Sequence, residues 1–574
     1  MRHFGHYRQI FAGLPSLVMT ATLLFPSAAR SQDEKSSARE EERSSLAVDN
    51  LKKALQSSEE GRKNLQEAAD NLKDVRDLRL ALLLTDWQDE GILPTSVPGI
   101  FVPERVGHRA IHQQVEDRLA RIIQNGLSSK DADRQIASTT LLAEIGAQIP
   151  GTRSRRGFAS TFTPDLARLL KSKNPAVTEA AARALGRIFP DPQVAGDALG
   201  GVFQDRGGSE KRAAAEALVS LIQEVDQLAK SRAILGIKPT FEDRLRVAES
   251  ATKAASRALH DSAAEVRRLC AEAIGRAAAT LEDMIPDVKE SSDVPAGALA
   301  DVAKELGQQG ELLGSLLRDS DSQVRFNAAQ ALMEIARAEA RFARRGTGAP
   351  SPLRLKEKGA GALGTGPEDA LRNGLRAALP ALSGSLRDPD VRVRLAAVTA
   401  LDLMGQDAAP AAQALNNALR DPDLFVRWAA ARALGNIDPA DGKIAVPNLG
   451  RLLFDPDLDP RLAAAATLEH YGKDAAAAVP ALIRATSVGD AEIRIAVIHA
   501  IEAIGADKAQ SAVPALAQAL SDPDDRVRQA AAETLGSFGT EAQTAEPALR
   551  RALDDKEPTV RRAASSALLN LKKE

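Results

Sequence analysis

One cysteine in 574 residues leaves nothing with which to form an internal disulfide, so this chain is not held by a covalent framework. Aromatic residues are scarce too, at 3%. Proteins that grip single-stranded nucleic acid stack bases on aromatic rings and follow the phosphates with cations. With few rings and a formal net charge of only −3, the chain offers neither, and it has no general attraction for an anionic membrane. The signatures of common chemistry are missing as well. There is no G-x-S-x-G, no glycine-rich phosphate loop followed by its Lys, and no His-Glu dipeptide anywhere. Only seven histidines are present. His108 and His112 share a helix face in "HRAIH", but Arg109 stands where a metalloprotease has Glu, and no third ligand is evident. Asp86, Asp89 and Glu90 around Trp87 are accounted for as an acidic patch at a helix end. No catalytic residue, metal ligand or cofactor is therefore expected.

What is abundant is one phrase. "DPDDRVRQAAAETLGSFG" has close copies in "DPDVRVRLAAVTALDLMG" and "DPDLFVRWAAARALGNID". With the Arg as anchor, copies fall at Arg394, Arg427, Arg461, Arg494, Arg528 and Arg561, spaced by 33, 34, 33, 34 and 33 residues. Seven positions after each stands a large aliphatic: Leu401, Leu434, Leu468, Ile501, Leu535 and Leu568. The same offset finds degenerate copies at Arg325, Arg267, Lys211, Thr178 and Arg134, making eleven units. Within one unit Val527, Ala531, Leu535 and Phe538 step by four, four and three, the face of a helix, and Gly539 stops it. Pro547 then opens a second helix. A single hairpin cannot bury its apolar face alone, so the copies must stack. The expected fold is all-α, an α-solenoid of about eleven helix hairpins. Cys270 falls where other units carry Ala and is expected to be a small buried residue.

The run Asp-Pro-Asp, Val-Arg, Ala-Ala, Leu-Gly and Val-Pro-Ala-Leu resembles the HEAT family, specifically the short HEAT-like repeats of phycobilisome-lyase type, with their armadillo-like superhelix. The likeness spans about residues 125 to 574 and is strongest in the last six units. It implies a fold and a stacking mode more than an activity. Among enzymes with similar repeats, deoxyhypusine hydroxylases carry His-Glu pairs, which this chain lacks. Bilin lyases act on cytosolic antenna proteins, which fits an exported chain poorly.

An Asp lies six residues before most anchors, as in Asp388 and Arg394, Asp421 and Arg427, Asp455 and Arg461, Asp522 and Arg528, and Asp555 and Arg561. So many equivalent pairs cannot each be an active site. The expected role is structural, the Asp capping its helix and the Arg bracing neighbouring units. Thr178 breaks this ladder and predicts a weaker second unit.

Residues 1–31 carry Arg2 and Arg8, an apolar run from Ile10 to Phe25, and small residues before a charged segment, the pattern of a signal peptide cleaved after Ala29 or Ser31. The alternative is an uncleaved membrane anchor. No Cys adjoins the run, so a lipobox is excluded. The chain is thus expected to be exported, periplasmic or extracellular, without a transmembrane span once the signal is removed. Residues 32–60 read as a charged tether and 61–120 as a helical segment and cap, in which Val115, Leu119, Ile122 and Ile123 mark the last helix. Residues 121–390 carry repeats with long insertions, and 391–574 carry regular ones.

From anchor to the next Asp, ordinary units take 27 or 28 residues, but those at Lys211, Arg267 and Arg325 take 50, 52 and 63. The extra residues are expected as loops between the two helices, on one edge. The third is basic, with Arg341, Arg344, Arg345, Arg354, Lys356 and Lys358. The choice there lies between a solvated loop of no function and a patch that docks a protein partner. The function expected is a non-catalytic exported scaffold for protein partners, without nucleic acid. The alternative is a repeat-supported enzyme or ligand carrier with its site in the inserted loops.

Overall fold

The computed structural model describes residues 120–572 except 148–157, 189, 231–240, 286–295, 347–365, 438–439 and 441–442. The expected signal peptide, the tether, the helical segment with Val115 and Leu119, and the His108, His112 and Asp86 clusters lie outside these residues. Among the described residues there are helices and no strands, in agreement with an all-α solenoid.

Each of the eleven anchors lies in a helix of its own, from Ala132–Ala147 through Val391–Met404, Leu424–Gly435, Leu458–Tyr471, Ala491–Ile504 and Asp525–Phe538 to Pro558–Asn570. In the regular units a 3-10 turn follows, then a seven-residue second helix such as Glu546–Ala552, with Pro547 in its first turn. Gly405, Gly472 and Gly539 end three first helices with φ of 54°, 50° and 55°, a left-handed conformation that a side chain resists. The Arg561 unit contributes its first helix only, among the described residues.

The aliphatics seven residues past the anchor form the spine of the core. Leu401, Leu434, Leu468, Ile501 and Leu535 have no exposed surface. Leu568 is the exception and is half-buried among the described residues. Cys270 is fully enclosed, and burial pushes its thiol out of the reactive range. First helices pack directly on one another through small residues. A Cβ on Gly536 would sit 3.0 Å from the Cα of Ala567, and one on Gly275 3.2 Å from that of Ala331. Second helices of the regular units touch their counterparts far less. The first-helix row is therefore the more closely packed of the two.

The long units depart from the expectation of added loops. Their first helices grow to Gly208–Lys230, Ala264–Met284 and Ser322–Gly346, of 23, 21 and 25 residues against 12 to 14 in regular units. Their second helices grow as well, to Phe241–Ser256, the pair Ala296–Gln308 and Gly310–Leu316, and Pro367–Ser385. Pro380 thus lies inside a long helix where other units start a short one. Much of each insertion becomes helix because its apolar residues keep the 3.6 period and find a neighbour to pack on.

Candidate interaction surface

The ladder is built from both partners of each repeat phrase. Arg394 donates from Nε and Nη2 to both carboxylate oxygens of Asp421 in the next unit, at 2.7 and 2.9 Å, and from Nη1 to the carbonyl of Asp388 in its own unit at 3.0 Å. The same fork joins Arg267 to Asp319, Arg325 to Asp388, Arg427 to Asp455, Arg494 to Asp522 and Arg528 to Asp555. Lys211 makes a single bond to Asp261 at 2.7 Å. These planar, two-point pairs are the geometry for which Arg differs from Lys. Among the described residues Arg561 reaches only backward, to the carbonyls of Asp555 and Lys556.

The expected capping role needs correction. The Asp six residues before the anchor does not cap the helix: its carboxylate accepts the amide two residues on, as Asp388 does from Asp390 at 2.8 Å, while receiving the Arg of the preceding unit. The cap is the second acid of the phrase. Asp390 accepts from the Arg392 amide, Asp423 from Phe425 and Val426, and Asp524 from Arg526. At the second unit Thr178 supplies no cation. Arg206 from the following unit covers the Ser172 carbonyl instead, at 2.7 Å.

One rung is defective although the period is kept. Where other units place Asp, the Arg494 unit has Val488, 45% exposed, followed by Gly489 at φ 79°. Arg461 is left with one bond to Asp490 at 3.3 Å, and its Nε is buried without a partner. Asp490, drawn to Arg461, makes no cap bond. Restoring the phrase with Val488→Asp and Gly489→Pro together should stabilise the array by about 1–2 kcal/mol, the worth of a charge-assisted bond made to a stranded donor. Denaturant unfolding of the double variant checks this, and an unchanged midpoint would count against it.

The basic patch divides. Arg341 pairs with Glu282 at 2.7 Å and so braces two long helices. The side chains of Arg344 and Arg345, and residues Arg354, Lys356 and Lys358, lie outside the described residues. Among the described residues no group of three or more His, Cys, Asp or Glu is gathered as a metal would need, and no helix is long and apolar enough to cross a membrane.

The surface that sequence reading missed lies one residue past the anchor. In five consecutive units that position is Phe326, Leu395, Trp428, Leu462 and Ile495, all half-buried on the side of the row away from the core. On either side of the five the position turns polar, with Arg212 and Arg268 before and Gln529 and Arg562 after. Phe425, 51% exposed, widens the stripe at its centre. Two guanidiniums flatten onto it: Arg392 lies 4.9 Å from the Phe326 centroid and Arg432 4.5 Å from that of Trp428. Both are neutralised, Arg392 by Asp390 and Arg432 by the buried Asp402. Farther along, no ion pair reaches Asp459, Glu492, Glu502 or Glu533 among the described residues, so the uncompensated charge beside the stripe is negative.

Comparison with known proteins bears on the repeat and not on the stripe. Family models described as HEAT repeats match residues 379–469, 412–502 and 498–570, and one described as HEAT repeat matches 311–338. Among solved chains, an engineered protein known from its crystal structure is 23% identical over 46% of this chain and 96% of its own, with a TM-score of 0.28. No curated protein matches. The matched spans hold most rungs of the ladder, and over residues 311–338 and 379–570 the chain is made of HEAT repeats.

Proposed function

We propose that this protein is a non-catalytic exported scaffold that holds protein partners along its first-helix row. HEAT repeats fit a protein-interaction scaffold. The observation that carries the reading is the half-buried apolar stripe across five units, because side chains not needed by the stack stand in register on its accessible side. Export rests on the basic start, apolar run and small residues before position 32. The proposal is tested with a C-terminally tagged chain expressed in full. The mature protein should begin near Arg30 or Gln32 and retrieve partners from the cell-envelope fraction. Met1 on a cytosolic product removes export, and an envelope fraction that yields no specific partner removes the scaffold.

A further inference from the structure

We propose that the stripe from Phe326 to Ile495 takes an extended segment of another protein, wound like polyproline II, with an apolar residue at every third position and Lys or Arg toward the end lying over the Arg461 to Arg528 units. This deepens the scaffold reading and rests on it.

The spacing selects the conformation. Packed helices lie about 8–10 Å apart, so successive stripe residues are offered at that interval, one per unit. An α-helical ligand rises about 1.5 Å per residue and would present a side chain only every sixth residue or so, out of phase with its own 3.6 period. A β-strand alternates faces, so its third residue points away. A polyproline-II segment has three residues per turn and rises about 3.1 Å each, which returns every third side chain to one face at about 9 Å. Five apolar residues at that period, about thirteen residues of ligand in all, would match Phe326, Leu395, Trp428, Leu462 and Ile495 one to one.

Charge sets the direction. At the Phe326 to Trp428 end the cations over the rings are already paired with Asp390 and Asp402. At the other end Asp459 and Glu492 are exposed on one flank, with Glu502 and Glu533 beyond, and Arg526, whose charge reaches Glu492, is already paired with Asp524. A ligand with cations there gains attraction and on-rate, whereas an acidic one is repelled. The polar residues that bound the stripe, Arg268 and Gln529, set its length.

The test uses the full mature chain carrying Trp87→Phe, which leaves Trp428 as the one tryptophan of the 2 in the sequence. The probe is a synthetic peptide of about fifteen residues with Leu at every third position, Pro between, and Lys in one half. Controls hold the same residues with Leu at every fourth position, or Glu for Lys. Binding is read by peptide anisotropy and by Trp428 emission. The expected result is a blue shift of that emission, with affinity at least tenfold above both controls. Leu462→Ser with Ile495→Ser should lose tenfold or more, and Asp459→Lys with Glu492→Lys should reverse the preference for Lys over Glu. Circular dichroism reports the fold of each variant. Equal affinity for the period-four peptide, binding unchanged in the Ser variant, or no binding by any peptide would overturn the proposal. If the Ser variant still retrieves the same envelope partners as the unmodified chain, the scaffold stands and the stripe does not.

Discussion

Replacing Gly310 with valine should unfold the middle of the array at ordinary temperature while leaving its C-terminal units folded. Gly307, Gly310 and Gly374 lie where the second helices of two long units cross backbone to backbone. A Cβ on Gly310 would overlap the carbonyl oxygen of Gly374 and stand 2.6 Å from its Cα, and one on Gly374 would stand 3.0 Å from the Cα of Gly307. The obstacle in each case is main chain, which cannot rotate aside. The helices must therefore separate, and the packing of Leu313 and Leu316 against Leu375, Leu379 and Leu382, all buried, goes with them. Overpacking of this kind costs about 3 kcal/mol or more, well beyond the ~1 kcal/mol gained in helix propensity when Gly is replaced. Even Gly310→Ala should lose about 2 kcal/mol. Gly384→Ala in the same helix as Gly374 is the control: its Cβ meets nothing within 4 Å, so it should be neutral or slightly stabilising. Because a repeat array unfolds by neighbour-coupled units, hydrogen exchange resolved by segment is the measurement. Protection should fall over Gly310–Leu316 and Pro367–Ser385 and persist over Asp525–Phe538. Unchanged protection in the valine variant would show that the two backbones are not in contact.

The repeat was legible because its signals are local and redundant. An Arg, a Leu seven residues on and a Gly after it specify a helix, its buried face and its end within one phrase, so even the degenerate units at Thr178 and Arg134 fall in helices as the period predicts. The ladder was half legible. Pairing of Arg with Asp follows from their recurrence, but which of two acids caps and which receives the Arg depends on the turn between units. There Asp388 folds over its own chain and leaves the cap to Asp390. The long insertions misled, since composition marks them as departures from the period but does not say that their apolar residues prolong the flanking helices. The stripe was missed although it stands in the same register. It varies among Phe, Leu, Trp and Ile, and a search that follows recurring residue types passes over a position that recurs only in being apolar. The defective rung at Val488 was visible in the sequence as the one regular unit without its Asp, and only the buried Nε of Arg461 gives that absence a consequence.

Asp421→Ala should destabilise the array by about 3 kcal/mol, and more than Arg394→Met at the other end of the same rung. The alanine removes both carboxylate acceptors of Arg394, whose side chain is only 11% exposed, and leaves its charge with backbone carbonyls alone where water reaches poorly. Methionine removes the charge and keeps the stem, so the remaining Asp421 carboxylate still has the Asp423 amide. Acid should act on the other rungs as the alanine acts on this one. The hydrogen bond from Arg528 holds the Asp555 carboxyl below its usual range. At Asp319 burial pushes upward, but the bonds from Arg267 and from the Asp321 amide outweigh it and the net shift is down. These groups bind fewer protons in the folded chain than in the unfolded one. Their contribution is therefore complete above the unfolded carboxylate range, near pH 4, and is lost as pH falls below that range through their lowered folded values. Buried Glu339 and half-buried Glu334 and Glu305 have the opposite sign, because loss of solvent raises them despite nearby Arg372, Arg337 and Lys253. The folded state takes up their protons more readily, so the helices that carry them gain stability as pH falls from neutral toward about 4.3. Asp555 and the raised glutamates occupy different units. Segment-resolved hydrogen exchange at pH 7, 5 and 3.5, corrected for intrinsic rates, should show relative protection rising at pH 5 over Ala296–Gln308 and Ser322–Gly346. It should then show the Asp525–Phe538 and Pro558–Asn570 pair opening first at pH 3.5. Uniform loss across all units at both acidic pH values would mean that general charge repulsion, and not the ladder, governs the acid limit of the stack.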